Sequence, residues 1–403
     1  MSASVPDGPV SVLVLNTGSS SLKYQLIEMT GPSVVASGLV ERIGEDGARH
    51  VHERAGSAPA ETITAIPDHR AAFGLVFDAF ATGGELDGGL AGIGHRVVHG
   101  GALFSAPAVV DDDVLDAIRD QIPLAPLHNP GNLLGIEVAR KAFPHVPQVA
   151  VFDTAFHTTM PARAWRYALP RELADRLGLR RYGFHGTSHA FVARRAAELL
   201  GRPLEQVNLI TMHLGNGASV TAVEGGRSID TSMGLTPLEG LVMGTRTGDL
   251  DPAVIFMLHR REGFSVDQID RLLNSQSGLK GLTGANDLRE IERRAAAGDA
   301  DAEEALDVYC YRIRKYAGAY TAALGRVDAL VFTAGVGENS DAVRARVCEG
   351  LGGLGVALDP ARNAVRSRDA RVISAGDSAV AVLVVPTNEE LEIATQTLAA
   401  IRG

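Results

Sequence analysis

Cysteine and lysine are scarce in this chain of 403 residues. Cys310 and Cys348 are its only cysteines, too few for a disulfide framework or a cysteine-rich metal site, and their scarcity leads us to expect a reducing, cytoplasmic setting. Only Lys23, Lys141, Lys280 and Lys315 stand among the 38 basic residues, and the formal net charge is −10. That balance excludes the clustered cationic surface a nucleic acid requires, so any anionic ligand must meet local positive groups. No apolar stretch reaches the roughly 18 to 20 residues that span a bilayer, which excludes a transmembrane helix and a membrane partner. No Lys or Arg precedes Lys23, so the run Val10 to Leu15 lacks the basic flank of a signal peptide and reads as a first strand. Also missing are the phosphate-loop pattern G-x-x-x-x-G-K-[ST], a G-x-G-x-x-G turn after a strand and an H-E-x-x-H pair. What is present, 45% hydrophobic and 21% charged residues, is the balance of a globular chain with a large core. At roughly 150 residues per domain it predicts two or three domains.

Short Val-, Ile- and Leu-rich runs bounded by turn residues recur as VSVLVL, VPQVAVF, VNLITMHL, DALVFTAG and VAVLVVPT. This is how strands buried on both faces read. Helical patterns lie between them, at Val114–Gln121, Leu133–Phe143, Ala190–Leu200, Ala302–Leu324 and Asp341–Glu349, so the chain is α/β. The polar, Gly- and Ala-rich stretch Gly44–Thr62 reads as exposed hairpin and loop. Val12–Glu28 and Leu209–Gly226 share one plan, a buried strand, a tight Gly/Asn/Ser turn and a second strand. Their spacing of about half a chain predicts two duplicated domains facing each other across a cleft.

Three glycine-rich turns carry the chemistry. Asn16–Lys23 places small residues where a backbone approaches phosphate oxygens, with Ser19 and Ser21 as hydroxyl donors and Lys23 as a point charge. His213–Ser219 has the same character. Thr333–Asn339 follows a strand and precedes the helix at Asp341, so its amides are expected at a helix N-terminus. Three such loops predict a nucleotide held between them beyond the carboxyl ends of strands. Positive charge comes from Arg96 in GHRVVHGG and Arg246 in MGTRTGDLDP, whose planar forks suit carboxylate and phosphate. His128, Asp153 and His185 stand at strand-to-loop boundaries. His185 and His189, four apart, could share a helix face as metal ligands, but no Glu or thiol accompanies them, and a magnesium ion held by oxygens is the stronger expectation.

Taken together, NTGSSSLKY, GHRVVHGG, LAPLHNPGN, VFDTAFH, RRYGFHGTSH, HLGNGASV, DTSMGLTPLEGLVMGTRTGDLDP, GLTGANDLRE, FTAGVGENS and VPTNEE resemble the acetate kinase family, within the superfamily of acetate and sugar kinases, heat-shock ATPases and actin. The resemblance implies two duplicated actin-like (ribonuclease H-like) domains, each a mixed sheet flanked by helices, with the active site in the cleft between them. The expected boundaries are 1–152 plus 391–403 for the first and 153–390 for the second. It implies a homodimer formed through the second domain and reversible, magnesium-dependent transfer from ATP to acetate, with Mn2+ as a substitute, feeding acetyl-CoA and acetate interconversion.

Residue by residue, the resemblance assigns Asn16 and Glu389 to the metal and Ser19, Ser21 and Lys23 to phosphate. Arg96 is assigned to the acetate carboxylate, with Val98, Leu127, Phe184 and Pro237 around its methyl group, and His128 joins them at the substrate. ATP or ADP falls to His213, Leu214, Gly215, Asn216 and Gly217, to Asp287, Leu288 and Arg289, and to Gly335, Val336, Gly337, Glu338 and Asn339. Leu288 departs from the family, which more often has an aromatic or Met there. His185 and Arg246 match the transition-state stabilisers. Asp153 matches the essential carboxylate, which we read as orienting Arg246 or metal-bound water, with a base role second. A propionate or butyrate kinase would share this machinery, and an actin-like ATPase switch is the alternative of a different class.

Overall fold

The computed structural model describes residues 10–403 apart from 19, 87 and 127, so the expectations for Ser19 and Leu127 lie outside it. The chain divides into two units, one running to Ala155 and taking back Asn388–Gly403, the other spanning Phe156–Thr387.

The first unit is built on one sheet of β1 (Ser11–Thr17), β2 (Ser21–Glu28), β3 (Ser33–Glu41), β4 (Arg49–Arg54), β5 (Ala60–Ile63), β6 (Gly92–Val97), β7 (Ala108–Val109) and β8 (Gln148–Phe152), in the order β5-β4-β3-β2-β1-β6-β8-β7. β1 to β5 form an antiparallel meander, β6 and β8 run parallel to β1, and β7 closes the edge antiparallel to β8. Side chains alternate across a strand, and β1 uses both faces. Leu13 and Leu15 pack with Phe73, Val76 and Phe80 of the helix His69–Gly83. Val12 and Val14 pack with Ile393, Ala394 and Leu398 of the helix Glu389–Arg402. That helix starts where Asn388 Oδ1 accepts from Leu391 N at 2.9 Å, and Glu389, Glu390 and Glu392 fill its first turn, where carboxylates complement the helix dipole.

The second unit carries β9 (Asn208–Leu214), β10 (Ala218–Glu224), β11 (Arg227–Thr231), β12 (Ala329–Thr333), β13 (Arg371–Val372) and β14 (Ala381–Val384), in the order β11-β10-β9-β12-β14-β13. Its strand directions repeat those of β3-β2-β1-β6-β8-β7 one for one. Both hairpins that the sequence analysis compared, β1–β2 and β9–β10, hold the same place in their sheets. The first unit adds only the β4–β5 hairpin. The helix Gly186–Leu199 packs Val192, Ala193, Ala196 and Ala197 onto the second sheet.

Two expectations are corrected. Gly44–Thr62 includes the β4–β5 hairpin, as read, yet it also contributes core: Ala48, His50 and His52 are buried. The two imidazoles meet the Tyr24 hydroxyl at 2.8 and 2.7 Å, so hydrogen bonding compensates for burying polar rings in a segment whose composition looks solvent-bound. Thr333–Asn339 does not lead as a loop into the helix at Asp341. A short helix, Ala334–Asn339, begins directly after β12, with Ala334 at φ 64°. None of the described helices is long and apolar enough to cross a membrane.

Candidate active site

In the first unit the parallel strands β1, β6 and β8 end side by side, which brings three predicted residues together although they are far apart in sequence. The Arg96 guanidinium meets the Asp153 carboxylate three times, Nε to Oδ1 at 3.0 Å, Nε to Oδ2 at 3.1 Å and Nη2 to Oδ2 at 2.6 Å. Its remaining Nη1 donates to Asn16 Oδ1 at 3.1 Å. Asp153 is 1% exposed. Burial alone would push the guanidinium pKa down, but the Asp153 carboxylate outweighs it and holds the charge firmly on Arg96. Arg96 is thus a partner of Asp153 that the sequence reading did not name.

Glu389, at the first position of the helix Glu389–Arg402, feels the same cluster. Burial raises its pKa to about 7, with Arg96 and Lys23 opposing and Asp153 and Glu390 reinforcing. Lys23 pairs with Glu390 at 2.6 Å. Val98 is buried, its amide donating to Asn132 Oδ1 at 3.1 Å. His128 is half-buried ahead of the helix Asn129–Ala142, and Ser21 is half-buried at the start of β2. Among the described residues no three His, Cys, Asp or Glu side chains form a metal cage. Asn16 and Glu389 instead offer single oxygen donors, the type that suits a hard cation retaining water and substrate phosphate.

In the second unit His185 precedes the helix Gly186–Leu199 in a left-handed conformation, φ 57°. Its ring stacks on His213 with centroids 4.2 Å apart, and its Nδ1 lies 2.8 Å from Ser219 Oγ. His189 Nε2 lies 2.8 Å from that same hydroxyl, so the i, i+4 histidines converge on a serine. Burial, then His157 and His213, push the His189 pKa well down. Phe184 is buried, its carbonyl accepting from His157 Nε2 at 2.9 Å.

Arg246 is held by the Pro237 carbonyl, which accepts from Nη1 at 3.1 Å, and by Met243 Sδ at 3.8 Å. It makes no ion pair among the described residues, and burial pushes its pKa down. A Cβ on Gly217 would lie 3.4 Å from Arg246 Nη1 and 3.7 Å from His185 Nε2, so the two side chains converge over that glycine. The Arg246 loop is clamped from behind: Ser277, Leu279 and Lys280 amides donate to the carbonyls of Thr245, Met243 and Gly244 at 3.0, 2.9 and 2.9 Å. Gly278 sits at φ 62°, where a Cβ would collide with the Met243 carbonyl.

Beside this lies a cavity of about 990 Å3. It brings together parts of all three stretches expected at the nucleotide: Gly215 and Asn216, then Asp287, Leu288 and Arg289, then Gly335, Val336 and Asn339. Exposed Asp287 is held down to about 2, first by the hydrogen bond from the Arg289 side chain, Nη2 to Oδ2 at 2.6 Å. His213, Leu214, Gly217, Gly337 and Glu338 are not among the lining residues. The Glu338 carboxylate folds back instead, accepting from Ala334 N at 2.8 Å and Thr387 N at 3.1 Å. Sequence reasoning missed Asn286, Glu292, Tyr309, Ser340, Asp341 and Arg366 in the lining. Asn286 and Ser340 adjoin predicted residues, and a wider window would have reached them. Tyr309 comes from the helix Ala300–Leu324, where helical periodicity marks it only as core.

Residues 11–395 match the model of the Acetokinase family. The acetate kinase of Streptomyces griseus is 60% identical over 398 residues, covering 98% of this chain and 97% of the relative. Among solved structures, the acetate kinase of Porphyromonas gingivalis has a TM-score of 0.91 at 43% identity, covering 97% of this chain and 100% of that one. A propionate kinase from Francisella tularensis has a TM-score of 0.92 at 41% identity, covering 97% and 99%.

Proposed function

Because the chain belongs to the acetokinase family, we propose that it is an ATP:acetate phosphotransferase, making acetyl phosphate and ADP in a reversible, direct transfer. The observation that carries this reading is Arg246: a half-buried guanidinium without an ion-pair partner among the described residues, converging with His185 over Gly217, next to an Asn216 that lines a nucleotide-sized cavity.

The chemistry follows from charge. Phosphoryl transfer passes through a loose state whose charge spreads over equatorial oxygens, so the protein contributes positioning and electrostatic stabilisation. Acetate is ionised near pH 7, since carboxylic acids titrate at about 4 to 5, and needs no general base. Arg96, oriented by Asp153 and Asn16, receives the acetate carboxylate, with Val98 near its methyl group. Arg246 and His185 offer donors to the transferring phosphoryl group. Gly215, Asn216, Asp287, Leu288, Arg289, Gly335, Val336 and Asn339 hold the nucleotide. Asn16 and Glu389 would hold a divalent cation, Mg2+ by this reading with Mn2+ as substitute, which when bound neutralises phosphate charge.

The free, buried thiols of Cys310 and Cys348 support a reducing, cytoplasmic setting. The helix Ala253–Glu262 buries no residue and exposes Val254, Ile255, Phe256 and Met257, which supports a homodimer using this face. Phe256→Glu is expected to halve the mass seen by sedimentation, and an unchanged mass would remove this helix from the interface.

Hydroxylamine trapping of acyl phosphate tests the function directly. With ATP and magnesium we expect strong product from acetate and a weaker signal from propionate, because one methylene is worth only about 1 to 3 kcal/mol of discrimination. A stronger propionate signal would favour the propionate kinase reading that the Francisella structure raises. ATP hydrolysis without acyl phosphate from any acid would overturn both in favour of a nucleotide switch.

A further inference from the structure

The loop from Ser232 to Asp249 carries both Pro237 and Arg246, and a second set of charged residues, unused by the mechanism above, governs its shape. Arg181 stands four residues before His185 and is mostly buried. Its Nη1 donates to three successive carbonyls, Thr231, Ser232 and Met233, at 2.9, 3.0 and 3.1 Å. Its Nη2 pairs with Glu239 Oε1 at 2.5 Å. The other Glu239 oxygen accepts from the Tyr167 hydroxyl, which itself accepts from Leu235 N at 3.0 Å. Tyr182 N and Gly183 N both donate to the Gly234 carbonyl, at 3.0 and 3.3 Å. A Cβ on Gly234 would fall on the Glu239 carboxylate and the Tyr167 hydroxyl, so a larger residue there would displace the pair.

These contacts form one chain of cause. Arg181 and Tyr167 fix Leu235 and Glu239 on either side of Pro237, and the Pro237 carbonyl is the oxygen that holds the Arg246 guanidinium. Meanwhile the backbone of Tyr182 and Gly183, leading directly into Phe184 and His185, is laced to the start of the same loop. A guanidinium that touches a reacting phosphoryl group must be placed to a fraction of an ångström, and a displacement of about 1 Å can cost about 10²-fold in rate. Nothing in the Arg246 side chain supplies that placement, because its own partners are a carbonyl and a thioether.

We propose that the Arg181–Glu239 ion pair, with Tyr167, is a clasp that registers the Arg246 loop against the His185 segment, making Glu239 a positioning residue for phosphoryl transfer. It rests on the acyl-kinase reading, and it acts through the Pro237 carbonyl. The nucleotide cavity does not include the clasp, so loosening it moves the phosphoryl-binding arginine while leaving the nucleotide residues in place.

The test is a double-mutant cycle on the full-length enzyme, following acetyl phosphate formation and the KM for ATP. Glu239→Gln is expected to lower kcat by about 10²-fold and to leave the KM for ATP within about threefold. In an Arg246→Leu background the same change should add less than about threefold, because residues acting through one another are not additive. A kcat of Glu239→Gln near wild type overturns the clasp, as does an equal fold-loss in both backgrounds, which is what a general structural role produces. Should Glu239→Gln fail to fold, Tyr167→Phe removes a single hydroxyl, with a loss of about tenfold and the same dependence on Arg246 expected; an unchanged kcat there is equally fatal. Failure of the enzyme reading looks different: Arg246→Leu itself would then retain normal turnover, whatever Glu239 does.

Discussion

Replacing Arg246 with leucine is expected to lower kcat by about 10³-fold, the effect of removing an arginine finger. Two anions, acetate and the terminal phosphate, must be pressed together against their repulsion, and charge then spreads over the equatorial oxygens. Arg246 is suited to that moment because its guanidinium is not already neutralised: its partners are the Pro237 carbonyl and Met243 sulfur. Burial removes the water that would otherwise screen it, so its field at a bound phosphate is strong. Leucine keeps only the apolar base of the side chain and leaves the backbone clamp from Ser277, Leu279 and Lys280 untouched. The loss should therefore lie in kcat, with the KM for ATP little changed. Near-normal turnover would sink the assignment.

The second large effect concerns Asp153. Asp153→Ala leaves the Arg96 guanidinium, itself largely buried, with Asn16 as its remaining protein partner among the hydrogen bonds described above. Removing one partner of a buried pair costs about 3 to 5 kcal/mol, and the lower end applies because the Arg96 side chain is 21% exposed. We expect a fall of several degrees in melting temperature and a rise of at least tenfold in the KM for acetate, consistent with loss of a charged hydrogen-bond partner worth about 1.5 to 3 kcal/mol. Asp153→Asn, which keeps the shape and one acceptor oxygen, should recover much of the stability. The pH dependence separates the two roles considered for this residue. An orienting carboxylate predicts that Asp153→Asn lowers the rate by a constant factor across pH. A general base predicts that an acidic limb of the wild-type profile vanishes in the variant.

Much of this architecture could be read before any coordinates, because it rests on local rules. The strand–turn–strand plan at Val12–Glu28 and Leu209–Gly226 became β1–β2 and β9–β10 in matching positions of two sheets. Asp153 was picked out by its place at a strand end, Arg96 by its glycine-flanked motif and Asn16 by its glycine-rich turn. Their mutual bonds were not, since parallel neighbours are set by which strands join in the sheet, and that depends on packing far from any one segment. The Arg96–Asp153 pair in particular follows from the strand order, which matching charges along the sequence does not reveal. The Gly44–Thr62 segment misled for a different reason. Its two histidines look solvent-bound until the Tyr24 hydroxyl, from another strand, supplies both with a buried partner. Glu338 sits inside a predicted phosphate stretch but spends its carboxylate on Ala334 N and Thr387 N, a use no motif announces. The Arg181–Glu239 pair lies 58 residues apart in sequence, and neither residue belongs to a turn that signals a ligand.

The return of the helix Glu389–Arg402 to the first unit has a consequence for the order in which the chain can take shape during synthesis. Strands β1, β6 and β8 are complete once residue 152 has been made, yet Val12, Val14, Val149 and Val151 lack part of their packing until Ile393, Ala394 and Leu398 arrive. Domains usually mature from the amino end as translation proceeds. Here the unbroken stretch Phe156–Thr387 can close first, and the earlier-made half waits with an open apolar surface for its final helix. A ribosome that stalls or stops near residue 388 would release a chain whose second unit is whole and whose first sheet lacks its last helix, a species for chaperones to hold rather than a half-active enzyme.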